Sequence, residues 1–555
     1  MQKEKLLKLF KKYANGWSIA LIMLVLLIGL PIYTLLFKFF DGGSSEVWNH
    51  LLETVLSDYI LNSIGLVIVV SILTLLTGIS TAWIVSTCEI PFRKHFEWIL
   101  ILPLAIPTYI AAYTYAGIFD YAGPIQSFFR NIGWIEIAYI DIMNFWGVAV
   151  VMSLVLFPYV YVVARSSFMN QSSTLLEASR ILGSSSWRTF FKIALPISRP
   201  AIIGGVSLVV MEVLNDYGAV KYYGVSTFTT GIFRAWFSLG DPNAAINLSG
   251  LLMLFILLLL SLERWQRGKT KFDEGAKIGR KLKRYQLKSW KKALAWTVCF
   301  IPLFLGFIAP VFQLIIWSVQ TIQSVFNTDF FLMMLHSFGL ALLAAALCVL
   351  FSVIILYAVK IHQNKTFNIL AKIASLGYSI PGAVIAIGIM IPLLGLDKQL
   401  IQIWKNHFDS NIGLIFSSTL FALTFAYIVR FLTVSLNPIE AAFKKTGTGI
   451  DEAAHSLGAG SMKTLWRINI PLIRSALFSG GILVFVDILK ELPLTLILRP
   501  FNFHTLATKA YELASDEMVA ESATPSLIII LIGIVPIIIL NRLMKSPQEN
   551  GSIID

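Results

Sequence analysis

Histidine, cysteine and charge are all scarce in this chain of 555 residues, and each shortage closes off a class of function. The three cysteines, Cys88, Cys299 and Cys348, lie within or at the edge of apolar runs and are too scattered for a metal motif, so neither a disulfide framework nor a zinc site is implied. The seven histidines are dispersed, no H-E-x-x-H occurs, and no serine or cysteine sits in a recognisable nucleophile turn. A phosphate-binding loop is also missing. "RGKT" at 267–270 resembles the end of one, but Glu263 stands where its first glycine belongs, and no β-strand or glycine-rich turn is there to aim amides at phosphate. Charged residues make up 14% of the chain, against about 25% in soluble domains.

What fills the chain instead is apolar. Hydrophobic residues reach 57%, with 14 tryptophans and a mean hydropathy of +0.76, the composition of an integral membrane protein. A hydrocarbon core of about 30 Å takes roughly 20 residues of helix. About twelve such runs are present, near 17–40, 61–86, 97–118, 145–168, 201–220, 246–262, 293–318, 335–359, 367–394, 413–435, 476–497 and 525–543. Their length, rather than any alternation, predicts helices and not a β-barrel. The first run follows a basic start like that of a signal peptide, but it is too long and has no small-residue cleavage site, so it reads as a retained first helix.

The formal charge of +13 is gathered in alternate loops, which argues for membrane topology rather than nucleic acid as its cause. Five lysines precede the first run, and residues 263–292 hold twelve Lys or Arg against three acids. The loop 41–58 has four acids and no Lys or Arg. By the positive-inside rule both termini and the 263–292 segment are expected in the cytoplasm. A split of six plus six helices meets that requirement, with 1–262 and 293–555 as two halves around a basic cytoplasmic linker.

The halves repeat. "LNSIGL" at 61–66 matches "LHSFGL" at 335–340, and "AIPT" around Pro107 matches "SIPG" around Pro381. "EASRILGSSSWRTFFKIALPISRP" from 177 returns from 452 as "EAAHSLGAGSMKTLWRINIPLIRS", without a gap, at an offset of about 275. Ten of the 26 positions from 177 to 202 are identical in the second copy. Both copies fall between the fourth and fifth helix of their half, on the same side, so the repeat is parallel rather than inverted.

In each copy an acid, Glu177 or Glu452, opens a short helix where it favours the dipole. Gly183 or Gly458 can end that helix. A second short helix with basic residues then runs to Pro196 or Pro471 and the next span. Such a loop is either an amphipathic segment packed on its own bundle or a docking surface exposing Leu182 and Leu457, and two equivalent copies favour two docking sites.

The pattern E-A-x-x-x-x-G, nine residues, then I-x-L/I-P resembles the signature loop of the membrane subunits of binding-protein-dependent ABC importers. Ser179 replaces the second alanine and Ile470 a leucine. Occurring twice in one chain, it resembles the fused permeases of that family. Residues 211–245 and 492–533 are similar to the corresponding regions of the ferric iron-transport permeases, and the similarity runs from about 60 to 543. The resemblance implies an all-α type I ABC importer permease fold, two six-helix pseudo-symmetric repeats about a pseudo-twofold axis, in a bacterial inner membrane. It also implies coupling loops at about 170–200 and 436–475 that dock two cytoplasmic ATPase subunits through Glu177, Ala178, Leu182, Gly183, Ile193 and Pro196, and through Glu452, Ala453, Leu457, Gly458, Ile468 and Pro471. A periplasmic or lipid-tethered binding protein would deliver ferric iron. The chain would bind no cofactor, ATP being used by the partner, and it would be no enzyme. Thiamine or another small solute is the alternative cargo, and a membrane enzyme or scaffold the alternative class.

Two acid pairs inside the apolar runs map onto each other, Glu212 with Asp216 and Asp487 with Glu491. Spacing of i, i+4 predicts both carboxylates of a pair on one helix face. An ionised group in hydrocarbon costs roughly 2.5 to 3.5 kcal/mol on insertion scales, so the four are expected to face water or partners. They either line a cation pathway or are structural, with Lys490 as a packed counter-charge. Pro107 and Pro381 are expected to kink the third and ninth helices, as hinges or as static packing. "YIAAYTYAG" at 109–117 stacks on substrate or forms an interfacial aromatic belt.

Overall fold

Every apolar run has a helical counterpart in the computed structural model, which describes residues 15–43, 45–134, 140–170, 179, 183–267, 284–408 and 412–544. The principal helices are α1 (Gly16–Phe40), α2 (Leu56–Thr87), α3 (Arg93–Ile99), α4 (Thr108–Ile118), α5 (Phe145–Asn170), α6 (Leu195–Asn215), α7 (Gly218–Tyr222), α8 (Pro242–Arg267), α9 (Ser289–Leu303) and α10 (Ala309–Val325). They continue with α11 (Thr328–His362), α12 (Lys365–Ala374), α13 (Gly382–Phe408), α14 (Leu420–Thr446), α15 (Gly449–Ser456), α16 (Ile470–Lys490), α17 (Pro493–Leu498) and α18 (Ala523–Met544). Among the described residues ten helices are long and apolar enough to cross a membrane, eleven if a pair bent by 88° at Pro107 forms one span, and Ala523–Ile539 is a shorter apolar helix.

That bend corrects one expectation. Pro107 and Pro381 do not kink continuous helices. Each stands at a break, preceded by a 3₁₀ turn (Leu102–Ala105 or Ser375–Ser379) and followed by the first turn of α4 or α13. Proline at the start of a helix is cheap because the first amides have no intrahelical partner. The same residue deep inside a helix would orphan a carbonyl.

Packing divides the chain into two units, and they are not the two halves of the sequence. One gathers α1 with α11 to α17, the other α2 to α7 with α9, α10 and α18, while α8 runs from the first to the second. Each half therefore lends its first helix to a unit built mainly from the other half. In the first unit α1 is fastened by Thr34, whose hydroxyl donates to the Gly388 carbonyl at 2.9 Å, and by Ser18, 2.8 Å from His362 Nε2. Gly388 permits the approach, since a Cβ there would lie 2.6 Å from the Pro31 oxygen. In the second unit Ser318 and Thr524 link α10 to α18 at 2.9 Å.

The same three-helix core recurs in both, α2 with α5 and α6 in one unit, α11 with α14 and α16 in the other. Lipid-facing helices gain little from apolar burial and associate through close packing at small residues. Gly205 and Gly480, equivalent in the repeat, do this: a Cβ would come within 3.1 Å of Tyr159 O and 3.3 Å of Ser435 Cα respectively. The linker's end is the one place where short strands pair among the described residues, β1 (Cys88–Glu89) running parallel to β2 (Tyr285–Gln286). Beside it burial, then the nearby Arg93, holds Arg284 below the usual guanidinium range.

Candidate functional site

The second copy of the charged loop is described throughout. Glu452 lies in the first turn of α15, Leu457 caps its end, and Gly458 turns the chain with φ +82°. The Ala459 amide donates to the Ala454 carbonyl at 3.0 Å, closing the turn. In the first copy Gly183 has φ +77°, and the Ser184 amide donates to the Ser179 carbonyl at 3.0 Å, the equivalent bond. Glu177, Ala178 and Leu182 lie outside the described residues.

After the glycine a short helix (Ser461–Thr464, or Ser186–Thr189 in the first copy) enters a wide π-helical turn, Leu465–Asn469 or Phe190–Ala194. The expected stop at Pro196 and Pro471 is not found. Each proline follows at the start of α6 or α16, and the helix runs on without a break through Trp187–Asn215 or Ser461–Lys490. The π turn is the physical reason. A five-residue bond from Leu195 to Phe190, or from Ile470 to Leu465, widens the helix where the proline ring would meet the preceding turn.

The loop buries Ala454, Thr464 and Leu465 and exposes several of its large apolar residues. Leu457 is 89% exposed, Trp466 61% and Met462 58%. Glu452, Ala453, Gly458 and Pro471 are exposed and Ile468 is half-buried. The first copy repeats the arrangement with Ser179 and Thr189 buried, 3.1 Å apart, beneath the exposed Trp187 and Phe191. Ile193 is half-buried and Pro196 exposed. Apolar side chains exposed on a polar loop are the surface chemistry on which a docking role would rest.

How the two loops are held differs. Under the second, Lys360 of α11 contacts Asp451 at 2.7 Å and donates to Asn469 Oδ1 at 2.8 Å, and Asn469 donates to Asp451 at 2.8 Å. The Tyr357 hydroxyl donates to the Ser461 carbonyl at 2.7 Å. This polar clamp ties α15, the π turn and α11 together. Under the first loop Trp83 packs on Phe168 and Phe190 instead, at 5.3 and 5.0 Å between centroids. The positions equivalent to Lys360, Asp451 and Asn469 are Ser86, Leu176 and Ala194. None of the clamp residues is among the loop's motif positions, so the motif alone does not find them. Replacing Lys360 with Met is expected to remove a charge-assisted bond worth about 1.5 to 3 kcal/mol and to speed amide exchange across Gly449–Thr464 by about tenfold or more. Unchanged protection there would sink the clamp.

The acids are placed differently from their expected shared helix face. α6 ends at Asn215 and α16 at Lys490, so Asp216 and Glu491 fall just past the helix ends in extended conformation. Asp216 is buried, accepts from the Ala219 and Val220 amides at 2.9 and 3.1 Å, and so caps α7, with the Thr108 hydroxyl as a further donor. Glu491 is buried, accepts from the Leu494 amide at 3.0 Å at the start of α17, and pairs with buried Arg430 of α14 at 3.2 Å. Of the inner members, Glu212 accepts from the Tyr159 hydroxyl at 3.3 Å, and Asp487 pairs with Lys490 at 3.2 Å. Lys490 is thus the counter-charge the sequence suggested, and Arg430 is one it concealed.

Two repeats of membrane-length helices, each with a glycine-turned loop entering its fifth helix, define a multi-pass permease. The chain belongs to the family described as binding-protein-dependent transport system inner membrane component, which matches it twice, at 75–267 and 358–546. It is a fused two-half permease of that family, similar to ferric iron permeases. The Fe(3+)-transport system permease protein FbpB 2 of Haemophilus influenzae is 24% identical over 531 residues, covering 94% of this chain and 98% of that protein. The sulfate transport system permease protein CysT of Escherichia coli K12 is 27% identical over 259 residues, 45% of this chain and 90% of its own length. A probable sulfate transport system permease protein of Chlorokybus atmophyticus is 30% identical over 205 residues, 37% of this chain and 70% of its own.

Proposed function

We propose that this chain is the translocating subunit of an ATP-driven importer of ferric iron. The observation that carries the reading is the similarity to a ferric iron permease over nearly the whole chain, through both halves and the joint between them, where the sulfate permeases match less than half. In this reading a periplasmic or lipid-tethered binding protein delivers the ion at the outer face. Two cytoplasmic ATPase subunits dock on the loops around Gly183 and Gly458, and their closure rocks the helices that those loops enter. Both termini lie in the cytoplasm of a bacterial cell, and the chain itself binds no nucleotide.

Within that path Glu212, which accepts from the Tyr159 hydroxyl, and Asp487, which pairs with Lys490, are the acids that lie inside the fifth helix of each half, where their carboxylate oxygens suit a hard cation. Asp216 and Glu491 fix the backbone where the fifth helix of each half gives way to the next. The test is uptake into proteoliposomes holding this chain, its ATPase and its binding protein, with radiolabelled ferric iron, sulfate and thiamine run side by side. Iron uptake that needs both ATP and the binding protein is the expected result. Sulfate or thiamine uptake without iron would keep the machine and overturn the cargo.

A further inference from the structure

A cavity of about 440 Å³ opens between α11, α12 and α14, in the unit that carries the second loop. Its volume falls in the range of small-ligand sites, about 300 to 1,000 Å³. The lining is basic. Lys360, Lys372 and Lys444 face it with Glu440 as the one carboxylate in its wall, and Asn368 and Thr448 add neutral donors. Lys444 is taken by Glu440 at 2.6 Å and Lys360 by Asp451, which leaves Lys372 with no carboxylate in salt-bridge reach among the described residues. The wall therefore presents one lysine charge, that of Lys372, that no carboxylate of the wall offsets, beside two lysines already in ion pairs.

The cavity's place in the fold says where a ligand would come from. α11 ends in Lys360 and His362, and α14 in Lys444 and Lys445, the basic ends of two membrane-length helices. α12 is a short amphipathic helix with Ile369 58% and Ile373 40% exposed beside its lysines, the pattern of a helix lying in the interface plane. Basic pockets between helices at cytoplasmic headgroup depth suit phospholipid phosphates.

We infer that this cavity binds a phosphate-bearing anion, supplied in the membrane by the headgroup of an anionic phospholipid. The acyl chains would lie along Ile369 and Ile373. The first half offers no counterpart, because Trp98 and Met169 stand at the positions equivalent to Lys372 and Lys444. Occupancy also reaches the second loop. Lys360 belongs both to the cavity wall and to the clamp on Asp451 and Asn469, while Gly447 and Thr448 line the cavity and lead directly into α15. A phosphate drawing the wall together holds that loop's base, so one docking element answers to the lipid and the other does not. This consequence for docking rests on the proposed role of the loops, whereas binding itself does not.

The experiment uses the full chain in nanodiscs of phosphatidylcholine with or without phosphatidylglycerol. Lipid retained on the purified protein is read by native mass spectrometry, and amide exchange is followed over Gly449–Thr464. Wild type is expected to retain phosphatidylglycerol about tenfold over phosphatidylcholine, a difference of about 1.4 kcal/mol, and to show slower exchange at the loop when it is present. The variant K372Q/K444Q, checked by gel filtration and circular dichroism to be folded, is expected to lose both effects. Equal retention by wild type and variant overturns the site. Slowing in pure phosphatidylcholine on addition of millimolar inorganic phosphate supports the phosphate site and overturns the lipid as its source. Neither readout depends on transport, so failure here is distinct from failure of the importer reading.

Discussion

Valine at both Gly183 and Gly458 is expected to lower ATP-driven uptake by at least about tenfold while leaving the protein inserted in the membrane at its normal level. The two glycines have φ of +77° and +82°, in the left-handed region that costs an L-residue about 1 to 2 kcal/mol, and a β-branched side chain is the least able to adopt it. A Cβ at either position would meet nothing within 4 Å. The penalty is therefore confined to the backbone turn, and the helical core below does not share it. A strained turn re-aims α15 against the short helix Ser461–Thr464, and with it the exposed Leu457, Met462 and Trp466 that a partner would grip. Asparagine tolerates the left-handed region, so Gly458→Asn is expected to stay near wild type. Binding-protein-stimulated ATP hydrolysis supplies the second readout, falling with the valines and recovering with asparagine. Normal uptake by the double valine variant would remove the coupling role from these loops.

That turn was legible because its residue pattern is polar and gapless, which unrelated apolar helices do not produce by chance. Membrane spans were legible for the simpler reason that a bilayer demands about 20 apolar residues. What an apolar run does not encode is its neighbour. α1 and α9 have the same composition as any other span, so nothing in the sequence announces that each packs into a unit dominated by the opposite half. For α1, the contacts that fasten it are those of Thr34 and Ser18 and the close approach at Gly388, one or two polar atoms apiece. Helix ends were misplaced for a related reason. Hydropathy continues past Asn215 and Lys490, so Asp216 and Glu491 looked helical, whereas their carboxylates accept from the amides of the next helix and stop the one before. A competing local bond overrides the i, i+4 geometry. Lys360 stands in the last turn of a span, where the positive-inside rule accounts for a lysine without calling for a partner. Arg430 was the stronger missed signal, an arginine within the run 413–435, where a charge in hydrocarbon demands a partner.

Arg430→Met is the substitution expected to harm folding most. It would leave the Glu491 carboxylate buried without its counter-charge, and breaking a buried pair from one side costs about 3 to 5 kcal/mol. Set against a typical total stability of about 5 to 15 kcal/mol, the yield of monodisperse protein and its survival on heating should both fall sharply. The site has no slack in which to rearrange. A Cβ at Gly382 would lie 2.6 Å from Glu491 Oε1 and 2.8 Å from Arg430 Nη1, so α13 starts directly against the pair. Restoring neutrality from the other side should rescue the fold. In the double variant R430M/E491Q the amide oxygen still accepts from the Leu494 amide, so the start of α17 keeps its cap while both charges are gone. This rescued protein then separates the two roles open to Glu491. If the carboxylate only fastens the wall, cation uptake returns along with the heat stability. If its charge draws the ion along the path, the double variant folds normally and still transports at least about tenfold more slowly, equivalent to about 1.4 kcal/mol. Heat stability that stays low in the double variant would instead show that the pair is not what destabilises Arg430→Met.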